Sequence, residues 1–387
     1  MVYLDNAATT FPKSENVYAR MDKVNRTLSV NAGRGSYKAA RDADEIIANL
    51  RTKILKLANA DGIGDVFFQP SATIAFNQII SGLDLKESDV VFVSPFEHNA
   101  VMRSLHLWQK KLKFSIEVLP FETKEENGRN RHYLDIETSK FAFAKKKPSF
   151  VFMSYVSNVT GYILPIEQIG SAAHEYEAKV IVDGAQAFGV VPVDFKNMPI
   201  DLLVFAGHKT LYGPFGVSGF IKRKDFPLEQ TIAGGTGSDS LNLDMPKEGS
   251  ARYEVGSENI VAIAGLDAAM DEVDIDIVYT EEKRLTNLLA SGLESIKNVY
   301  TYIPDGDNHI GIVSFNIGGY KASEVGQILD EDFDIAVRTG YHCAPLIHDL
   351  INDKNFVGTV RASVGKFTTD EDIEKLVKAV KELAEEV

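Results

Sequence analysis

The chain has 387 residues, of which 44% are hydrophobic and 25% charged, ordinary values for a globular protein with a large core. Its 41 Lys and Arg against 55 Asp and Glu leave a net charge of −14, which removes the basic footprint that nucleic acid or an anionic membrane surface requires. One cysteine can form neither an internal disulfide nor a thiolate zinc cluster, so no metal is expected; the expected compartment is the cytoplasm, with the cysteine either a small buried hydrophobe or a reactive thiol.

The opening segment, MVYLDNAATTFPK, has no basic region followed by a long apolar stretch and does not read as a secretory signal. From residue 14 to about 225, helical and strand patterns alternate. Residues 36–60 place Ala39, Ala43, Ile46, Ile47, Leu50, Ile54 and Leu57 at helical spacing, with Ser36 as the expected cap. A short strand is expected at 65–69, after which Ser71 opens another helix. An apolar run at 89–93 precedes a helix over 98–112, and further runs lie at 116–119, 150–156, 180–182 and 202–205. Several of these runs are continuous rather than alternating, as in strands buried on both faces of a parallel sheet. Strands separated by helices give an α/β fold with helices on both faces. Residues 233–257, rich in Gly, Ser and Asp, read as a long irregular loop. Beyond them the expected order is helix, helix, strand, strand, helix, strand, strand, helix. The last helix is expected to begin at Thr368, with Glu371 completing a capping box. The chain therefore divides into a larger α/β part, 14–257, and a smaller α+β part, 258–387.

Residues suited to chemistry fall at the ends of these runs. Lys209, in Gly207-His208-Lys209, follows the 202–205 strand; burial there would lower its pKa and suit Schiff-base formation, the plain alternative being a solvated loop lysine. Asp183 ends the 180–182 strand, where ligands bind in such sheets. One role open to it is pairing with the ring nitrogen of pyridoxal phosphate, and another is simply turning the chain before Gly184. Ser71-Ala72-Thr73 stands at a helix N-terminus, which suits phosphate or ordinary capping. Cys343 lies in Arg338-Thr339-Gly340-Tyr341-His342-Cys343-Ala344-Pro345, where His342 could favour the thiolate, against a buried structural cysteine. Arg361 interrupts an apolar strand and suits either a substrate carboxylate or a structural salt bridge.

Taken together these residues resemble the class V aminotransferase family, in its cysteine desulfurase and selenocysteine lyase branch, and most closely the Suf-type group. The likeness also rests on Tyr3-Leu4-Asp5-Asn6-Ala7-Ala8-Thr9-Thr10 and on Asn31 to Gly35, NAGRG. It implies a fold type I enzyme with a mostly parallel seven-stranded-type sheet in 14–257, the cofactor-binding domain, and a smaller domain made of 1–13 and 258–387. It implies pyridoxal 5′-phosphate held by Ser71, Ala72, Thr73, His98, Asn158, Asp183, Gln186, His208, Lys209 and Ser257. Lys209 is then the Schiff-base lysine and the base at the α-carbon, His98 stacks on the ring, and Arg361, with Ala8 and Asn31, binds the amino-acid substrate. Cys343 takes the sulfur as a persulfide, and the products are alanine and sulfur for an acceptor protein. A homodimer is implied, with the 233–257 loop contributing to the neighbouring site. The sequence departs from the family pattern at Ala206, where many relatives have a phosphate-bonding serine, and at Ser257, where they have threonine. Tyr37 and Tyr341 replace histidines, and Lys366 also differs. Selenocysteine lyase, and an aminotransferase or β-lyase with Cys343 incidental, remain alternatives; a non-catalytic scaffold is the least favoured.

Overall fold

The computed structural model describes residues 1–32, 35–126, 128–237 and 241–387. Gly33 and Arg34 of the 31–35 motif, and Ser238, Asp239 and Ser240 of the 233–257 segment, lie outside the described residues. The continuous apolar runs form the interior of a seven-stranded sheet. Its strands stand in the order Gly64–Gln69, Ser218–Arg223, Leu202–Ala206, Lys179–Asp183, Phe150–Ser154, Val90–Val93, Ser115–Val118. Ser218–Arg223 runs antiparallel to both neighbours, and the other pairings are parallel. Alternate residues reach opposite faces, and each face meets a core. Val151, Met153, Val180, Val182, Leu203 and Phe205 join one apolar cluster with helix Lys38–Leu57 and helix Ile260–Met270. Phe152, Ile181, Leu202 and Val204 join another with helices Ala72–Ser81 and Asn99–Leu112. Burial on both faces is why these strands carry no polar alternation. The edge strand Ser115–Val118 does carry exposed positions.

A four-stranded antiparallel sheet follows, ordered Val299–Tyr302, Ile312–Ile317, Thr359–Ser363, Arg338–Gly340. Its own core includes Leu285, Leu289, Phe315, Val325, Leu376 and Val380, together with Val2 and Leu4 from the chain start. The N-terminal strand Val2–Tyr3 is held there by parallel pairing with Ile335–Ala336. No helix among the described residues is long and apolar enough to cross a membrane.

Several local expectations need correction. Helix Lys38–Leu57 is preceded by Tyr37, not Ser36, at the N-cap, with no side-chain cap. The last helix, Asp370–Glu385, is capped by the Thr369 and Asp372 box, one residue beyond the expected Thr368 and Glu371. Thr368 is used differently, its Oγ1 accepting from Gly365 N–H at 3.0 Å. The hairpin Phe121–Glu126 and Arg129–Leu134, the helices Ile136–Lys146 and Ile166–His174, and the strand Ser218–Arg223 add to the expected elements. A short helix, Ile347–Leu350, and a 3-10 turn, Lys354–Phe356, enter between the last two strands of the smaller sheet.

Candidate active site

Strands Phe150–Ser154, Lys179–Asp183 and Leu202–Ala206 end side by side, with Ser154 opposite Asp183 and Asp183 opposite Val204. The chain leaves each strand there, and a cleft of about 230 Å³ opens at this edge. Of the expected site residues, Ala8, Ser71, Ala72, Thr73, His98, Asn158, Asp183, Gln186, His208, Lys209, Cys343 and Arg361 line it together. Asn31 and Ser257 do not line it: they meet each other instead, Asn31 Nδ2 donating to Ser257 Oγ at 3.2 Å. Ala206 lines the cleft and brings no hydroxyl to it.

At one end Ser71 caps helix Ala72–Ser81, its Oγ accepting from Ile74 N–H at 3.3 Å. The N–H groups of Ala72 and Thr73 then have no partner within the helix, which makes this end an anion cradle. His208 stacks on Phe215 with ring centroids 4.6 Å apart, and its Nδ1 is buried without a protein partner. Burial and the charges of Lys209 and Lys13 push its pKa down to about 4, so it is a neutral hydrogen-bonding ring at pH 7. Gly207 before it has no room for a side chain, because a Cβ would lie 2.4 Å from the Val217 carbonyl oxygen.

At the floor, Asp183 Oδ1 accepts from Ala185 N–H at 2.9 Å. Burial raises its carboxyl above the usual range, against the pull of that N–H and of Lys209. Lys209 is pushed down to about 8, by burial first, with Asp183 opposing and Arg361 and Arg338 assisting. His98 is the N-cap of helix Asn99–Leu112, its Nδ1 accepting from Ala100 N–H at 3.0 Å. That bond fixes the proton of the neutral ring on Nε2. Burial, then Lys209 and Arg338, hold its pKa down at about 3. Gln186 Nε2 donates to the Ala7 carbonyl at 2.8 Å, tying the N-terminal segment to the cleft.

On the smaller-sheet side Arg361 is wholly enclosed. Its Nη2 donates to Asp5 Oδ1 and its Nη1 to the Asn158 carbonyl, both at 2.9 Å, while Nε is buried and unpartnered. Nε is thus the guanidinium nitrogen that no protein group takes up. Cys343 is exposed, and Arg338 Nη2 lies 3.6 Å from its Sγ. His342 does not serve the thiol as expected. Its Nε2 is committed to Thr359 Oγ1 at 2.9 Å and the Thr359 carbonyl at 3.0 Å, and burial holds its pKa well below the usual value. Lys366 also lies apart, with its Nζ on Glu272 Oε2 at 2.8 Å.

Arg338, Asp5 and Glu97 are site-associated residues that sequence reasoning missed. Glu97 is buried and accepts from Ser94 Oγ and Ser154 N–H, both at 2.5 Å. Burial, with Asp183 adding to it, pushes its pKa up to about 8, so it stands as a neutral acid at pH 7. Its adjacency to His98 in the sequence was the available signal; Arg338 and Asp5 had only their places inside quoted motifs.

Residues 2–376 match the aminotransferase class-V family. Curated relatives include a cysteine desulfurase of Shigella sonnei, 29% identical over 395 residues, covering 99% of this chain and 93% of that protein. A probable cysteine desulfurase of Methanothermobacter thermautotrophicus is 30% identical over 400 residues, covering 99% and 94%. Among solved structures, an apo cysteine desulfurase from Thermococcus onnurineus superposes with a TM-score of 0.89 at 28% identity, covering 100% of this chain and 95% of that one. A cysteine desulfurase from Escherichia coli, solved as its S-sulfonic acid, has a TM-score of 0.85 at 24% identity over 100% and 95%, a likeness of fold.

Proposed function

The chain belongs to the aminotransferase class-V family, and from that premise we propose that it is a pyridoxal-phosphate-dependent cysteine desulfurase. The observation that carries the reading is the convergence on one cleft of Lys209, Asp183, Arg361 and the only thiol in the chain, Cys343. The cofactor fits the residues present. The orphaned His208 Nδ1 and the Ala72–Thr73 helix end suit its phosphate, and buried Asp183 suits its ring nitrogen. His98 would cover the ring, Asn158 and Gln186 would stand beside it, and Lys209 would hold it covalently. When bound, pyridoxal phosphate supplies an electron sink for the bond broken at the substrate α-carbon.

The Nε edge of Arg361 would orient the substrate carboxylate, with Asp5 and the Asn158 carbonyl holding the guanidinium in place. An amine titrating near 8, as Lys209 does, can take and return a proton at the α-carbon at neutral pH. His98 offers only Nε2, because Nδ1 is occupied in capping. Cys343, whose Sγ lies 3.6 Å from Arg338 Nη2, would attack the sulfur of cysteine as its thiolate. A sulfur–sulfur bond forms, the carbon–sulfur bond breaks, and its electron pair stays with the carbon fragment, which takes up a proton and leaves as alanine. The persulfide on Cys343 would pass its outer sulfur to an acceptor thiol, on a small molecule or a sulfur-acceptor protein.

We further read residues 14–257 as the cofactor-binding domain and 1–13 with 258–387 as the smaller domain; the separate core around the four-stranded sheet supports this. A homodimer is the proposed working form, and the position of Ser257 and Asn31 outside the cleft of their own chain is consistent with service to a neighbouring copy. An unpaired thiol that must stay reduced suits the cytoplasm. The test is incubation with L-cysteine, measuring alanine and the mass of the protein. Alanine is expected together with one added sulfur on Cys343, and Cys343→Ala should keep the cofactor absorbance but lose the persulfide. Unchanged cysteine turnover in that variant would defeat the proposal.

A further inference from the structure

The segment that carries Cys343 holds an unfavourable backbone. His342 and Cys343 both have left-handed φ angles, 46° and 59°, and Gly340, separated from them by Tyr341, has 99°. Side chains with a Cβ rarely adopt that region, and a consecutive pair persists only where surrounding contacts over-determine it. Those contacts fall on successive carbonyls. The Cys343 carbonyl accepts from Asn99 N–H at 2.7 Å, in the first turn of the helix that His98 caps. The His342 carbonyl accepts from Asn158 Nδ2 at 2.7 Å. The Tyr341 carbonyl lies 2.9 Å from His348 Nε2 and also receives Ala344 N–H at 3.0 Å. Asn158 lines the cleft already described, and Asn99 directly follows His98, which also lines it. The third partner does not, and it is elaborately supported.

His348 is 5% exposed, and its Nδ1 lies 2.5 Å from Oδ2 of Asp353, which is 0% exposed. A carbonyl oxygen can only accept, so Nε2 carries a proton. The contact at Nδ1 fixes the orientation of the ring and so the direction in which Nε2 points. Among the contacts described for His348, the outward one is to the Tyr341 carbonyl, and the ring also packs edge-on against Tyr341, with centroids 4.9 Å apart. The short helix Ile347–Leu350 and the 3-10 turn Lys354–Phe356, which place the two residues, are the elements inserted between the last strands of the smaller sheet.

We infer that His348 and Asp353 form a positioning dyad that locks the strained Cys343 segment in the conformation from which its thiol faces both Arg338 and the cleft. The link to sulfur chemistry rests on the desulfurase reading; the clamp itself does not. Asp353 aligns the imidazole, His348 holds the Tyr341 carbonyl, and the left-handed pair is then kept from relaxing.

The test uses the cofactor-loaded full chain with His348→Ala, His348→Gln and Asp353→Asn. Glutamine places an amide N–H near the Nε2 position but cannot reach back to Asp353, so it should rescue in part. Hydrogen exchange read by mass on a peptide spanning 338–346 should accelerate by about ten-fold or more in His348→Ala, less in His348→Gln, with peptides of the seven-stranded sheet unchanged. Persulfide formation on Cys343 should fall by about ten- to a hundred-fold in kcat, with KM for cysteine and the cofactor absorbance unchanged. Exchange within about two-fold of the parent in both His348→Ala and Asp353→Asn would overturn the clamp, as would acceleration spread evenly over the chain. Faster exchange with unaltered cysteine turnover would overturn its role in the reaction. A parent chain that never turns over cysteine defeats the functional reading and leaves the exchange comparison standing.

Discussion

Enclosure is the largest cause of the lowered titration of Lys209. An ordinary lysine amine is less than about a thousandth neutral at pH 7, whereas one titrating near 8 is roughly a tenth neutral. The neutral amine is the form that attacks an aldehyde, so capture of added pyridoxal phosphate by the cofactor-free chain should rise through about pH 8 and then level off. Stopped-flow absorbance across pH 6 to 11 measures this, and a rise continuing to the midpoint of a free lysine would contradict the assigned environment. Ala206 makes the opposite argument, from a missing group. It lines the cleft and offers no hydroxyl. Ala206→Ser should add one hydrogen bond to a charged phosphate, about 1.5 kcal/mol, and lower the Kd for the cofactor about ten-fold. Equilibrium dialysis reads the outcome directly. The site was legible where a residue's chemistry depends on its place at a strand or helix end, as for Asp183, Lys209 and Ser71. It was not legible where a side chain could turn either way. His342 is adjacent to Cys343 in sequence but buries its ring toward Thr359, while Arg338, five residues before the cysteine, supplies the cation.

At the scale of elements, the helix Ile275–Glu294 is tied to the turn that carries Lys209 through one buried contact. Tyr212 Oη donates to Glu282 Oε1 at 2.9 Å, and Tyr212 Oη in turn accepts from Lys366 N–H at 2.6 Å. Burial pushes the Glu282 carboxyl from 4.5 up to about 7. Since the folded state holds this proton more tightly than the unfolded chain, the stabilisation it gives is fully present below about pH 4.5 and is lost as pH rises through about 7. Glu282→Gln keeps an acceptor for Tyr212 and removes the titration. It should therefore raise stability at pH 8 by an amount on the order of 3 kcal/mol at most, with the gain fading toward pH 4.5. Urea unfolding at both pH values checks the sign. Element boundaries also show what patterning can and cannot resolve. The strands Phe150–Ser154 and Leu202–Ala206 were readable because both faces are buried, so hydrophobicity is uninterrupted. The hairpin Phe121–Glu126 and Arg129–Leu134 is largely polar, with no exposed-to-buried alternation in its first strand, and its main sequence signal was the turn dipeptide Asn127-Gly128. The final cap slipped by one because Thr368 and Thr369 are each followed, three residues on, by an acid, and composition cannot choose between them.

For the molecule as a whole, the segment 233–257 is where the single chain looks least self-sufficient. Leu241 and Leu243 are each 100% exposed, and Ser257 and Asn31 face one another away from the cleft. Apolar side chains held fully in water are disfavoured, so a partner surface that covers them would gain from their burial. If that partner is a second copy, its association joins two chains of net charge −14, and the repulsion between them is screened by salt. Dimerisation should then tighten as ionic strength rises, opposite to a contact made by surface ion pairs. Replacing both leucines, Leu241→Glu with Leu243→Glu, should weaken association by removing apolar burial and adding charge of the same sign as the rest of the surface. Cofactor affinity should weaken in step if Ser257 serves the neighbouring cleft. Sedimentation equilibrium at low and high salt, run with cofactor absorbance as the second signal, follows both quantities at once. Dissociation of the double variant with undiminished cofactor would separate the interface from the site and confine Ser257 to a structural contact with Asn31.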